Sequence, residues 1–123
     1  MLIAAFVILA VVVLLGSVLA VLRLRMNGTA TPPWPLAALH GVLAIGGLCC
    51  LALALRGPPR GLGQGMGSFG IIAIALIALA TLVGSGLLAA HALKRRLPGI
   101  MVGIHATLAV SGFVILAAYV FAG

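Results

Sequence analysis

The sequence predicts an all-α integral membrane protein: an up-down-up-down four-helix bundle built from two duplicated helical hairpins. Three observations carry this prediction. Of the 123 residues 65% are hydrophobic, and the chain has seven Lys/Arg but no Asp or Glu, whereas about a quarter of the residues of a soluble domain are charged. The basic residues fall at the ends of long apolar runs, and two of these runs share one sequence pattern.

Four apolar runs divide the chain, at about 2–22, 34–55, 69–93 and 99–122, and together they form one transmembrane domain over residues 1–123. As a helix, each run is long enough to cross a hydrocarbon layer of ~30 Å. The first run has no basic segment before it and is longer than the apolar core of a signal peptide, so we interpret it as a retained span. The lipid bilayer is therefore the first expected partner.

The basic residues predict the orientation of the spans. Arg23, Arg25 and the run 94–96 lie in loops on one side, and Arg56 and Arg60 lie on the other. The side with five basic residues is expected to face the cytoplasm, which leaves both termini outside. We expect a bacterial inner membrane. Because these charges end apolar runs, they indicate membrane boundaries and not a nucleic-acid surface.

Three short segments connect the spans. Asn27-Gly28 predicts a turn in the first connection, and Pro33 and Pro35 predict the start of the second helix. The segment 56–68 is rich in Gly and Pro and predicts only a flexible connection.

The absence of carboxylates excludes several classes of chemistry. No Asp or Glu is present to act as general acid, general base, nucleophile or ligand of a hard cation. Glycosidases, aspartic proteases, Walker-type nucleotidases, two-metal phosphatases and glutamate-dependent proton-coupled transporters are thereby excluded. A chain of this composition is expected to obtain its chemistry from a cofactor.

The second and fourth runs repeat one another. PWPLAALHGVLAIGG begins at Pro33 and PGIMVGIHATLAVSG at Pro98, 65 positions later. The runs before them share Gly16-Ser17 and Gly84-Ser85. Because both hairpins run in the same direction, the pseudo-twofold axis is expected to lie along the membrane normal.

The repeat places two histidines at equal depth. His40 and His105 each follow a helix-starting proline by seven residues, which is about 10 Å into the span. Their helices are diagonal neighbours in such a bundle, so the two imidazoles can face each other. Small residues on the same helix faces would leave clearance for a planar macrocycle: Ala44, Gly47, Ala109 and Gly112.

An ionisable residue inside a span is a functional hypothesis by default. The matched histidines predict axial ligation of one haem b. The alternatives are a structural pair that hydrogen-bonds neighbouring helices and a site for a small metal such as copper. Arg23 and Arg95 lie where haem propionates would point. His91 is interpreted as an interfacial residue, a propionate contact, a proton relay beside a quinone, or a replacement ligand.

These residues resemble the small four-helix membrane b-type cytochromes, broadly the cytochrome b561 and cytochrome b bundle type, in a single-haem variant. The resemblance rests on His40 and His105 in parallel diagonal helices with glycines nearby. It implies non-covalent haem b, with electron transfer linked to a quinone or to a larger redox complex. Those families usually carry paired histidines for two haems, whereas this chain has one level only.

Other functions stay open from the residues alone. The chain is also interpretable as a non-catalytic accessory or assembly subunit with a structural His pair, or as a haem carrier or sensor. A homo-oligomer and a larger membrane complex are both expected assemblies, and whether the protein is an enzyme is left open.

Overall fold

The computed structural model describes residues 1–26 and 32–122, and over this part the chain is helical without β-strands. The predicted turn at Asn27-Gly28 lies outside the described residues. The all-α prediction is confirmed, and the first helix continues three residues past its predicted end. The helices are α1 (Leu2–Arg25), α2 (Trp34–Ala54), α3 (Phe69–Ala92) and α4 (Gly99–Phe121), with a short 3-10 helix at Leu62–Gln64.

The helices begin and end where local chemistry requires it. Pro33 and Pro98 precede the first residues of α2 and α4 with extended ψ values of 126° and 125°, because proline fits the start of a helix but not its interior. At the end of α3, Lys94 has a φ of 52°, and the N–H of Arg95 donates to the carbonyl of Ala90 at 2.9 Å. This left-handed residue turns the chain sharply toward α4.

Each helix packs against its two neighbours in the ring α1–α2–α3–α4. The pairs α1/α3 and α2/α4 lie diagonally across the bundle axis, with no close approach of their described backbones. The up-down-up-down topology is therefore confirmed.

The outer surface is apolar, as expected for a protein in lipid. All four helices are long and apolar enough to cross a membrane. Large side chains such as Leu14, Leu82 and Phe121 are exposed by two thirds or more. A soluble protein would expose far less contiguous apolar surface, so the chain is an integral membrane protein.

Packing is divided along the bundle axis. We call the end with Arg23, Arg25 and residues 94–96 the basic end, and the end with both termini the far end. The dense core fills the half toward the far end, and most of its buried residues form pairs at equivalent positions of the two hairpins: Ala5 with Ala73, Leu9 with Ile77, and Leu51 with Leu116. The hairpins are thus repeated in three dimensions as well as in sequence.

The connection at the far end is more ordered than its composition predicts. The sequence predicts a flexible connection over 56–68, whereas the structure places a 3-10 helix there. Gly61 has a φ of 66°, and a Cβ at this position would lie 2.9 Å from that of Ala122. The N–H of Arg60 donates to the hydroxyl of Tyr119 at 3.2 Å. These contacts hold the connection against the end of α4.

Two equivalent glycines allow close helix packing inside each hairpin. A Cβ on Gly47 would lie 2.8 Å from Leu9 Cδ2, and a Cβ on Gly112 would lie 2.8 Å from Ile77 Cγ1 and 3.2 Å from the Ile77 backbone nitrogen. Small residues at helix interfaces permit this approach in membrane proteins.

We expect Gly112→Ala to lower the free energy of unfolding by about 1–3 kcal/mol, because the added methyl overpacks against the backbone of α3. Gly46→Ala is the matched control, since a Cβ there meets nothing within 4 Å. The control should be neutral or stabilising by up to ~1 kcal/mol. Unfolding by titration with SDS in mixed micelles measures both, and equal effects of the two variants would contradict the packing described.

Candidate cofactor site

Two histidines face each other across the bundle axis. His40 comes from α2 and His105 from the diagonal helix α4. Their ring centroids lie 6.0 Å apart, and the ring planes make an angle of 76°. Both side chains are half-buried. The structure thus brings together the two residues that the repeat places at equal depth.

Each imidazole is held by a backbone carbonyl of the preceding helix. His40 Nδ1 lies 3.0 Å from the Val12 carbonyl oxygen, and His105 Nδ1 lies 2.8 Å from that of Ala80. A carbonyl oxygen only accepts hydrogen bonds, so each Nδ1 must carry the proton and donate. In the neutral ring, Nε2 then keeps its lone pair and is a potential metal ligand.

The Nε2 atoms open onto free space. Within the described residues, neither Nε2 has a hydrogen-bond partner, although every fully buried side-chain nitrogen or oxygen has one. Each Nε2 must therefore reach unfilled volume, and both rings line the same cavity. Metal-binding histidines commonly show this arrangement, in which the second ring nitrogen is tied to a carbonyl or carboxylate.

A glycine of the neighbouring helix makes room for each ring. A Cβ on Gly16 would lie 3.0 Å from His40 Cε1, and a Cβ on Gly84 would lie 2.8 Å from His105 Cε1. An added methyl would displace the His105 ring at Gly84 and crowd the His40 ring at Gly16. The sequence shows Gly16-Ser17 and Gly84-Ser85 as a repeat. Only the structure shows that the two glycines leave space for the imidazole rings.

The cavity fills the half of the bundle toward the basic end. Its volume is about 380 Å³, within the range of small-molecule sites. Ala44 and Ala109 lie on its wall, and most of the lining is aliphatic. The hydroxyls of Ser17, Thr81 and Ser85 also line the cavity, but each donates to a carbonyl of its own helix. The wall therefore offers few free hydrogen-bond donors apart from the side chains at the basic end.

One polar side chain from each hairpin lines the cavity at the basic end, and we call this end of the cavity its mouth. Arg23 of α1 lines it and donates to the Leu97 carbonyl at 2.6 Å. His91 of α3 lines it as well, with its ring edge-on to Trp34 at 5.4 Å between centroids. Both contacts join one hairpin to the other. Neither partner residue is apparent from the sequence pattern.

The other residues expected at a cofactor lie outside the cavity wall. Gly47 and Gly112 pack against the neighbouring helix of their own hairpin. Arg95 is exposed in the connection between α3 and α4.

Two facing imidazoles could serve a metal that brings its own equatorial donors. In the described part of the chain, no group of three or more His, Cys or carboxylate side chains is clustered. Small metals such as copper and zinc take three or four protein ligands in most sites. A metalloporphyrin supplies four nitrogens itself, so two imidazoles on opposite faces complete its coordination.

Comparison with known proteins adds no family assignment: no family model, curated protein or solved structure matches the chain.

We expect both His40 and His105 to carry the proton on Nδ1 in the ligand-free protein. ¹⁵N NMR of histidine-labelled protein in micelles distinguishes the two ring nitrogens of each residue. Gly84→Ala should change the signals of His105, because its methyl would collide with the ring. Gly86→Ala on the same helix is the matched control, since its Cβ meets nothing within 4 Å. Protonation at Nε2 in both rings would contradict the geometry.

Proposed function

We propose that this protein is a membrane b-type cytochrome that binds one haem b between His40 and His105. The observation that carries the proposal is the distance of 6.0 Å between the two ring centroids. Imidazole nitrogens bind a metal at about 2 Å, so the ring centroids of two ligands on opposite sides of one ion lie about 6 Å apart. The spacing therefore fits one iron between the rings.

The hydrogen bonds of the two rings support the same proposal. Because the Val12 and Ala80 carbonyls take the Nδ1 protons, both Nε2 atoms are ready to ligate without losing a proton. The carbonyls also fix the ring orientations before binding. Such outer contacts raise the basicity of a ligand and limit its motion.

The composition of the cavity suits a macrocycle with an apolar body and a charged edge. The wall is mostly aliphatic, and Arg23 and His91 lie at the mouth. With no Asp or Glu in the sequence, no acidic side chain repels an anionic ligand. Haem, when bound, supplies one-electron chemistry, while the chain supplies the two axial ligands, the apolar enclosure and the positive charge at the mouth.

The proposed role is electron transfer in the cytoplasmic half of the membrane. Five of the seven basic residues lie at the basic end, so the positive-inside rule supports an orientation with that end in the cytoplasm and both termini outside. The site lies near one surface only. This position favours electron exchange with a quinone or with a neighbouring redox subunit over electron transfer across the full membrane.

A second function is favoured by one observation. Each histidine already makes a hydrogen bond to the adjacent helix of its hairpin, which is what a purely structural His pair would do. The chain would then be an accessory or assembly subunit of a membrane complex. Interhelical hydrogen bonds of this kind contribute only ~0.6 kcal/mol on average in membranes.

We expect the purified protein, expressed with ample haem, to show a Soret band and sharp α and β bands on reduction. His40→Ala and His105→Ala should each abolish the bands, because one axial ligand is lost. His91→Ala should retain the low-spin spectrum. A colourless wild-type protein would refute the haem assignment. Loss of haem in His91→Ala with retention in either of the other variants would refute the ligand assignment.

Asparagine variants separate the two functions. In His40→Asn and His105→Asn the side-chain amide lies near the position of Nδ1 and can still donate to the carbonyl, but nothing replaces Nε2. We expect both variants to keep the thermal stability of the haem-free protein while losing the haem bands. Haem bands that survive in both asparagine variants would contradict axial ligation by His40 and His105. The two histidines would then have only a structural role.

A further inference from the structure

The positions that line the cavity are related by a nearly exact twofold correspondence between the hairpins. Residues of α1 and α3 correspond at a spacing of 68 positions, and residues of α2 and α4, with those just before these two helices, at a spacing of 65. By this rule, 28 of the 31 residues that line the cavity form 14 pairs. Among the described residues, only Ala38, Val42 and Phe113 line it without their counterparts. Any ligand on the axis therefore meets residues at equivalent positions on its two sides, with identical residues in five of the 14 pairs and different ones in the other nine.

The groups that would hold a macrocycle obey the same symmetry. His40 corresponds to His105, and the carbonyls and glycines that seat the rings correspond as well. Arg23 corresponds to His91, and both lie at the mouth. Since α1 and α3 run in the same direction, the axis that relates these pairs runs along the bundle, from the far end to the mouth.

Haem has an approximate twofold axis of its own. This axis lies in the plane of the ring and passes between the two propionates. A half-turn about it exchanges the propionates with each other, reverses the two faces, and otherwise alters only which positions carry methyl and which carry vinyl groups. If the propionates point toward the mouth, the axis of the haem coincides with that of the site.

The packing of the bundle favours propionates that point toward the mouth. The half toward the far end is filled by the dense core, with Leu9 and Ile77 between it and the cavity. Carboxylates pointed into this core would be buried without partners, at high cost. At the mouth, the Arg23 guanidinium uses one donor for the Leu97 carbonyl and has others for an anion, and His91 offers a second polar group.

We propose that the site binds haem with both propionates at the mouth, one on the side of Arg23 and one on that of His91, and in two orientations related by a half-turn about the bundle axis. This inference rests on the proposed haem site. According to this proposal, the chain is specific for a planar macrocycle with two anionic groups on one edge. It does not distinguish between the two faces of that macrocycle.

Proton NMR of the oxidised low-spin protein tests the proposal, because the haem methyl signals are shifted far outside the protein envelope. Iron protoporphyrin IX should give two sets of methyl signals at equilibrium, with intensities within about tenfold, which corresponds to less than ~1.4 kcal/mol between the orientations. The isomeric iron porphyrin whose vinyl groups lie symmetrically about the axis between the propionates should give one set. A single set with iron protoporphyrin IX would overturn the proposal.

Reciprocal variants sharpen the test. Ala44 and Ala109 are an equivalent pair on the cavity wall, so Ala44→Val and Ala109→Val add the same bulk on opposite sides. The two variants should shift the ratio of the two signal sets in opposite directions, and shifts in the same direction would contradict the symmetry. If no haem binds, the proposed function itself fails. A haem-bound protein with one set of signals refutes only the two orientations.

The position of the propionates is tested by the dimethyl ester of iron protoporphyrin IX, titrated into the same protein in micelles. Esterification removes both negative charges, and we expect the ester to bind at least tenfold more weakly than haem. Arg23→Gln should reduce this ratio, whereas Arg56→Gln at the far end should leave it unchanged. Equal binding of ester and haem to the wild-type protein would overturn the placement at the mouth.

Discussion

The geometry of the site depends on two hydrogen bonds, from the imidazole of His40 to the Val12 carbonyl and from that of His105 to the Ala80 carbonyl. Each bond selects the ring tautomer, sets the ring orientation, and joins the two helices of a hairpin in a medium that offers the backbone no water. The glycine four residues after each carbonyl lets the ring approach. Without these bonds the imidazoles would be free to turn, and the Nε2 atoms would no longer share one cavity.

The rest of the bundle keeps this arrangement rigid and leaves the cavity open. Packing is concentrated toward the far end, where equivalent pairs such as Leu51 and Leu116 are fully buried. Toward the basic end the small residues Ala44 and Ala109 leave space that no side chain fills. The dense packing and the open cavity therefore lie in different halves of the same four helices. The haem that we propose would occupy the open half.

The sequence was sufficient for the fold because both signals it uses are strong: long apolar runs, and charges at their ends. It also placed His40 and His105 at one level, since equal distances from Pro33 and Pro98 mean equal depth on parallel helices. It could not reveal the carbonyl partners, because a backbone oxygen leaves no mark in the residue type. The sequence also could not predict the role of Gly47. This residue shares a helix face with His40, but in the structure it packs closely against Leu9. The contact between His91 and Trp34 could not be predicted either, because the repeat relates equivalent positions of the two hairpins and says nothing about contacts between them.

In the proposed site, two imidazoles held nearly perpendicular by the protein would ligate one haem iron. Low-temperature electron paramagnetic resonance of the oxidised protein tests it most directly, since the signal of low-spin ferric haem depends on the angle between its axial ligand planes. With ring planes 76° apart, we expect a strongly anisotropic low-spin signal in which only the feature at large g is well resolved. A rhombic signal with three resolved g values, which near-parallel imidazoles give, or a high-spin signal, would contradict the account.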